Sequence, residues 1–176
     1  MTIVYIILSV IGIFLAILLI IAALVKKEFV IEKQVVVHRP RQDVFDYIKM
    51  LKNQEQYSVW IRRDPNIAIR YTGEDGTAGA TSAWDSKDKN VGAGEQEIKA
   101  VTPGEAVEVE VRFQRPFKAT NYARTSVALA DSGTLVTNRF SGRSNYPMNI
   151  MNLFMDKLVG KDMQQNLENL KAQLEK

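Results

Sequence analysis

The chain begins with one uninterrupted apolar run. Residues 2–25 contain no charged side chain, and Lys26 and Lys27 follow directly. A helix of that length rises about 36 Å, which is enough to cross a hydrocarbon core of about 30 Å. A cleaved signal peptide and a buried soluble helix are the alternatives. A signal peptide has a shorter apolar run and a small-x-small cleavage site, whereas Ile21-Ala22-Ala23 is a poor site. The pattern therefore predicts an uncleaved transmembrane anchor over residues 1–27.

Beyond the anchor, the apolar positions follow the pattern of one β-rich domain, residues 28–176. Apolar positions with helical spacing predict a short helix over 43–51, followed by a second short helical or irregular piece over 55–61. The rest alternates between apolar and polar residues, which is typical of strands covered on one face. The predicted strands are 29–37, 67–71, 80–85, 91–101, 106–113, 120–130 and 135–142.

The closing element is predicted to be one helix from Pro147 to about Leu174, since proline is favoured in a first helical turn. Its apolar side chains recur on one stripe, which indicates a core-facing helix, and its methionines would form an adaptable wall. Gly160 interrupts the stripe and indicates a close contact or a bend. The stripe consists of Met148, Met151, Met155, Leu158, Met163, Leu167, Leu170 and Leu174.

The net charge argues against a nucleic-acid partner, and the distribution of charge along the chain makes anionic lipid a candidate partner. The formal net charge is +3, which is too close to neutral to indicate nucleic-acid binding. The charged residues between 74 and 110 are mostly acidic, whereas residues 111–155 include six basic residues and one acidic residue. The basic stretch is either a set of solvated strand faces or a surface turned toward anionic lipid headgroups. The six are Arg112, Arg115, Lys118, Arg124, Arg139 and Arg143.

The positive charges next to the apolar run predict its orientation. The flank after the run carries several lysines and arginines, whereas the flank before it has only the chain amine. The positive-inside rule therefore places the C-terminal domain in the cytoplasm. The basic residues of that flank are Lys26, Lys27, Lys33, Arg39 and Arg41.

The residue types needed for common catalytic and metal sites are scarce. The chain has no cysteine and one histidine, His38, so Cys–His, Ser–His–Asp and multi-histidine metal arrangements are not expected. Glu95 and Glu97 lie on one face of a predicted strand, and we expect their carboxylates to be solvated. We therefore predict no catalytic residues, no metal and no cofactor.

The order of one strand, two short helices, six strands and one long helix is similar to the helix-grip fold, in which an antiparallel sheet curls around the last helix. Six segments resemble successive parts of the START-related SRPBCC superfamily, in its polyketide cyclase/dehydrase and lipid-transport branch. The segments are VVVHRPRQDVFDYI, YSVWIRRDPN, VGAGEQEI, RPFKATN, GTLVTNRFSG and PMNIMNLFMDKLVGKDMQQNLENLK.

This resemblance implies an α+β helix-grip domain with an apolar pocket between sheet and helix. Aromatic and methionine side chains would supply apolar contact, and amides would orient a polar head. We predict a membrane-tethered, non-enzymatic module that binds or transfers a hydrophobic small molecule or lipid. An adaptor with a vestigial pocket and a cyclase- or hydrolase-like enzyme of the same fold are the alternatives. The predicted pocket residues are Tyr57, Trp60, Trp84, Gln96, Phe113, Asn121, Asn138, Phe140, Met151 and Met155.

Overall fold

The computed structural model describes all residues 1–176, and its first element is the helix α1, Thr2–Leu24. This helix is long and apolar enough to cross a membrane. Its side chains are exposed along nearly the whole length, and Ala22 is the one buried residue. Such exposure is the opposite of what a core helix of a soluble domain shows, because burial of apolar surface is what stabilises such a helix.

The rest of the chain is built around one antiparallel sheet of seven strands in the order β1-β7-β6-β5-β4-β3-β2. Strands β2 to β6 each pair with the next strand in sequence, and β7 also pairs with β1, which lies at the opposite edge of the sheet from β2. The predicted strands are confirmed, with ends shifted by one or two residues. The strands are β1 Glu28–Val37, β2 Ala68–Thr72, β3 Thr81–Asp85, β4 Ala93–Thr102, β5 Ala106–Arg115, β6 Ala119–Ala130 and β7 Gly133–Arg143.

Short helices connect β1 to β2, as the sequence predicts, and help to cover one end of the sheet. They are α2 Arg41–Ile48, a 3-10 turn Leu51–Asn53, α3 Gln54–Tyr57 and α4 Val59–Arg63. The main core joins α2 to the inner face of the sheet and to the last helix. Its 13 buried residues include Val37, Val136, Ile98, Leu167 and Leu170. Burying such side chains removes apolar surface from water and is the main stabilising contribution to the fold.

The long C-terminal helix is confirmed over residues 148–174, but it is not regular along its whole length. Met148–Phe154 is a 3-10 segment, Asp156–Gly160 is π-helical, and only Lys161–Leu174 is a regular α-helix, α5. The predicted core stripe holds in α5, where Met163, Leu167 and Leu170 are buried.

In the irregular half of this element, by contrast, Met148, Met151 and Leu158 are exposed. Gly160 is the last residue of the irregular half. An added Cβ there would lie 2.5 Å from Asp156 Oδ1 and 2.9 Å from Lys33 Cε. The spacing of apolar residues is the same in both halves and could not reveal the difference.

Two asparagines of the 3-10 segment bind the chain where α1 ends. The Asn149 amide Nδ2 donates to the carbonyl oxygens of Ala22 (2.6 Å) and Val25 (2.8 Å). The Asn152 amide Nδ2 donates to the carbonyl oxygens of Lys26 (3.0 Å) and Lys27 (2.8 Å). The Ala22 carbonyl is one of the last four of α1, which have no partner within the helix, and the other three carbonyls follow the end of the helix. The domain therefore holds the end of α1 directly.

Candidate functional site

The inner face of the sheet differs between its two ends. Near the C-terminal end of β1, Val35 pairs in register with Val136, and Val136 pairs with Val127. All three are buried in the main core. Toward the end next to α1, several inward positions carry aromatic and amide side chains that remain half-buried. We call this second part of the inner face the proximal half. Its half-buried members include Gln96, Phe113, Ala123, Thr125, Asn138 and Phe140.

One apolar cluster of the proximal half forms on β1 and under the irregular C-terminal segments. Phe29, Ile31 and Met163 are buried there, and the predicted pocket residues Trp60, Phe140 and Met155 pack against them. The rings of Phe29 and Phe140 are 6.0 Å apart between centroids and tilted by 47°, a favourable geometry for aromatic pairs. Three predicted pocket residues therefore share one apolar cluster.

A second aromatic pair lies across β3, β4 and β5. The rings of Trp84 and Phe113 meet edge to face, with centroids 5.7 Å apart. The Trp84 ring covers Gly94, where an added Cβ would lie 2.6 Å from its Cζ2 atom. Its indole Nε1 donates to the Val91 carbonyl at 3.3 Å. This glycine therefore provides the space in which the tryptophan ring lies.

The three predicted amides all have protein contacts. Gln96 and Gln54 exchange two amide hydrogen bonds, of 2.8 and 3.4 Å. The Asn138 amide Nδ2 donates to Thr125 Oγ1 at 2.8 Å. Asn121 is buried, and its Oδ1 lies 2.1 Å from where a Cβ on Gly142 would be. These amides line the proximal half, and none of them is free of neighbours.

Two predicted pocket residues lie apart from this group. Tyr57 packs against the main core next to Tyr47, with ring centroids 6.4 Å apart. Burial raises the pKa of the Tyr57 phenol far above its usual range, so the hydroxyl stays neutral. Met151 is exposed in the 3-10 segment. The structure thus brings together eight of the ten predicted residues on or beside the proximal half.

Sequence reasoning missed Lys33, which occupies an inward position of β1 opposite Asn138. Among the inward positions of β1 and β7 it is the one charged residue. Its Nζ reaches out to Asp156 Oδ1 at 2.8 Å. The alternation of β1 itself marks Lys33 as an exception, because it stands between the buried Ile31 and Val35; that break in pattern was the available signal.

Two surface depressions lie near the short helices and the last helix. One, of about 390 Å³, is lined by Glu55, Ile61, Asp64, Pro65, Ile67 and Ile69. The other, of about 470 Å³, is lined only by polar residues and glycine, among them Lys33, Asp156 and Gln164. None of the predicted pocket residues lines either depression.

The basic stretch of residues 111–155 is largely neutralised within the protein. On the outer face of the sheet, the Arg112 guanidinium contacts carboxylate oxygens of Glu95 (2.5 Å), Glu97 (2.8 Å) and Glu110 (2.5 Å). The hydrogen bond that Arg112 donates to Glu95, followed by those to Glu97 and Glu110, raises the pKa of Arg112 above its usual range. The remaining ion pairs are Arg115–Asp85, Arg124–Glu108 and Arg143–Glu28.

Solved structures share the fold at low sequence identity. A protein from Nitrosospira multiformis is 14% identical with a TM-score of 0.62, covering 82% of this chain and 95% of that one. A protein from Chromobacterium violaceum is 15% identical with a TM-score of 0.57, covering 84% and 97%. The di-domain ARO/CYC BexL from the BE-7585A biosynthetic pathway is 15% identical with a TM-score of 0.62, and this chain spans 51% of its length.

The family comparison agrees with this architecture. No curated protein matches the chain, whereas the family model described as polyketide cyclase/dehydrase and lipid transport matches residues 28–175. That range begins at the first residue of β1 and ends one residue after α5, so it covers the whole sheet and its helices. The chain therefore belongs to the polyketide cyclase/dehydrase and lipid transport family of the SRPBCC superfamily.

Proposed function

We propose that this protein is a membrane-tethered module that binds or transfers a hydrophobic small molecule or lipid in the proximal half of its helix-grip domain. One observation carries the proposal: several inward-facing residues there, among them Phe113, Asn138 and Phe140, stay half-buried. Their counterparts Val35, Val127 and Val136 in the other half are buried. Native cores are packed without voids, and partial access at inward positions is the feature expected of a ligand site.

The residue types of the proximal half suit a ligand with an apolar body and a polar head. Phe140, Trp60 and Met155 offer apolar surface. Gln96 and Asn138 place amides beside it, each already in contact with one protein partner. Ligand sites commonly combine a mainly apolar lining with a few placed polar groups. The tether is α1, whose length and exposed apolar surface suit a single membrane span.

The proposal is tested on the full-length protein purified in mild detergent, by native mass spectrometry and by extraction of bound lipid. The informative variant is Ala123→Trp, because Ala123 faces inward opposite Phe140 and a larger ring would fill the space between them. Tyr122→Trp is the matched control, since Tyr122 is exposed on the outer face of the same strand.

We expect a bound hydrophobic molecule on the parent protein and on Tyr122→Trp, and a marked loss on a folded Ala123→Trp. A parent protein that carries no such molecule, and takes up neither added fatty acid nor phospholipid, would contradict the proposal. That result would favour the adaptor alternative, in which the pocket is vestigial.

A further inference from the structure

The C-terminal irregular region begins with the longest charge-free stretch outside α1. Residues 144–155, SNYPMNIMNLFM, carry no charged side chain. The stretch contains the 3-10 segment Met148–Phe154. A charge-free surface segment is unusual in a chain of which 24% of residues are charged, and it requires an explanation that solvated loops elsewhere do not.

Four apolar side chains of the 3-10 segment are exposed to solvent. The exposed fractions are 59% for Met148, 41% for Met151, 59% for Leu153 and 50% for Phe154. Single exposed apolar residues are ordinary, but several from one short segment form the kind of patch that marks a membrane or protein contact. The patch formed by these four residues is called the apolar patch below.

The apolar patch lies beside the end of α1. Asn149 and Asn152 lie between the patch residues in the sequence. Their side-chain amides donate hydrogen bonds to the carbonyls of residues 22, 25, 26 and 27. Ala22 lies three residues, or about 5 Å along the helix, from the end of the uncharged run. With α1 in a bilayer, the asparagines therefore hold the patch at the boundary between hydrocarbon and headgroups.

Another exposed apolar residue, outside the apolar patch, lies at the same end of the sheet. Glu28 pairs with Arg143, and Gly142 pairs with Asn121, so the β5–β6 connection also faces the α1 end. Phe117 lies in that connection and is 76% exposed. Two separate parts of the chain thus expose apolar side chains at the end of the sheet next to α1.

From this arrangement we propose that the apolar patch is embedded in the lipid interface as a second, non-spanning membrane contact beside α1. The occupant is the bilayer, because the patch is continuous with a helix of membrane-spanning length and is fixed to it by hydrogen bonds. The strength of interfacial binding increases with the apolar area that is buried, and a charge-free sequence offers that contribution alone. The contact is therefore apolar rather than electrostatic.

The proposal rests on the membrane tether of the proposed function and adds a route for the ligand. Met155 follows the patch directly and packs on the Phe29–Met163 cluster of the proximal half. A hydrophobic molecule that leaves the bilayer at the patch would then reach the site without crossing water.

The absence of cysteine allows a direct test with single-cysteine variants of the full-length protein in phosphatidylcholine vesicles. Each variant carries an environment-sensitive fluorophore, and lipids with a nitroxide at a shallow acyl position act as quenchers. Leu153→Cys and Phe154→Cys report on the patch, and Ile20→Cys reports on α1. The matched control is Leu129→Cys, which is 78% exposed near the β6–β7 hairpin at the opposite end of the sheet.

We expect blue-shifted emission and several-fold stronger lipid quenching at positions 153 and 154 than at position 129, unchanged between about 0.1 M and about 1 M salt. Strong quenching at position 20 with none at 153 and 154 would overturn the patch contact and leave the tether intact. Blue-shifted emission at 153 and 154 without lipid quenching would assign the patch to a protein partner or second copy, and also overturn it. No quenching at position 20 would overturn the tether and the patch contact together.

Discussion

The side-chain amide of Asn149 lies against the carbonyl oxygens of Ala22 and Val25, at 2.6 and 2.8 Å, and Asn149 is 1% exposed. The contact joins residues that are 127 and 124 positions apart in sequence. It makes the connection between α1 and the domain a packed joint, because a buried amide with two acceptors has one preferred orientation. The domain is then oriented relative to α1 by this joint and not by linker length alone.

We predict that Asn149→Ala weakens the joint. The substitution removes two hydrogen bonds at a buried site and leaves their carbonyl acceptors without a partner, at a cost of about 1–3 kcal/mol in local stability. Hydrogen exchange should rise at residues 145–155 and 25–28 and stay unchanged in the sheet. Asn145→Ala is the control, since the Asn145 side chain is exposed and has no hydrogen bond within the protein. Equal exchange in the two variants would contradict the packed joint.

Removing residues 1–26 is predicted to leave a soluble domain with an intact sheet. Strand β1 begins at Glu28 and pairs with β7 over its full length, so the deletion removes no strand. It does remove both acceptors of Asn149, and the 3-10 segment should lose protection from exchange while the thermal midpoint of the sheet changes little. Unfolding of the whole truncated domain would show that α1 is part of the folding unit.

The sequence was sufficient to predict all seven strands and the first helices, because alternation and helical spacing reflect which side chains meet the core. It predicted the long last helix but not its irregular and exposed first half, since the stripe from Met148 to Leu158 has the same spacing as the buried stripe of α5. Which half is covered depends on tertiary contacts with β1, α3 and α1, and spacing carries no information on those. The amide partners Gln54 and Thr125 were missed for the same reason.

Arg112 is predicted to stabilise the outer face of the sheet in a manner that depends on pH. Its guanidinium lies between three carboxylates and forms an ion pair with each of them. Hydrogen bonds from Lys99 first and from Arg112 second hold the pKa of Glu97 below its usual 4.5. A carboxylate with a lowered pKa contributes stability above its unfolded pKa, and that contribution is lost as the pH falls through the folded value.

Arg112→Gln should therefore lower the free energy of unfolding at pH 7 by about 1 kcal/mol, since the network is partly exposed. The difference from the parent should shrink below about pH 4, where the carboxylates become protonated in both proteins, and also in high salt. Arg124→Gln, which loses one exposed partner, Glu108, should show a smaller effect. A difference that persists at low pH would contradict an electrostatic origin. Chemical denaturation across pH provides the measurement.

The paired amides Gln54 and Gln96 are predicted to be coupled. Gln96→Leu leaves the half-buried amide of Gln54 without its partner, and should lower the free energy of unfolding by about 1–2 kcal/mol. Gln54→Leu should do the same, whereas the double variant should lose less than the sum, because both polar groups are then absent. A double-mutant cycle measures this coupling. Additive losses would mean that the two amides act independently.

Gly142 provides a test of how tightly the proximal half is packed. An added Cβ would lie 2.1 Å from Asn121 Oδ1 and 2.8 Å from Phe29 Cζ, so Gly142→Ala must displace a buried amide and a ring of the Phe29–Phe140 pair. Overpacking of this kind costs about 1–3 kcal/mol. The neighbouring Ser141→Ala faces outward and should cost little.

Because Asn121 and Phe29 both lie in the proposed ligand region, Gly142→Ala should also reduce the amount of bound hydrophobic molecule seen by native mass spectrometry. Loss of stability with full retention of the bound molecule would place the ligand away from this end of the sheet. Loss of both together, with Ser141→Ala unaffected, is the expected result.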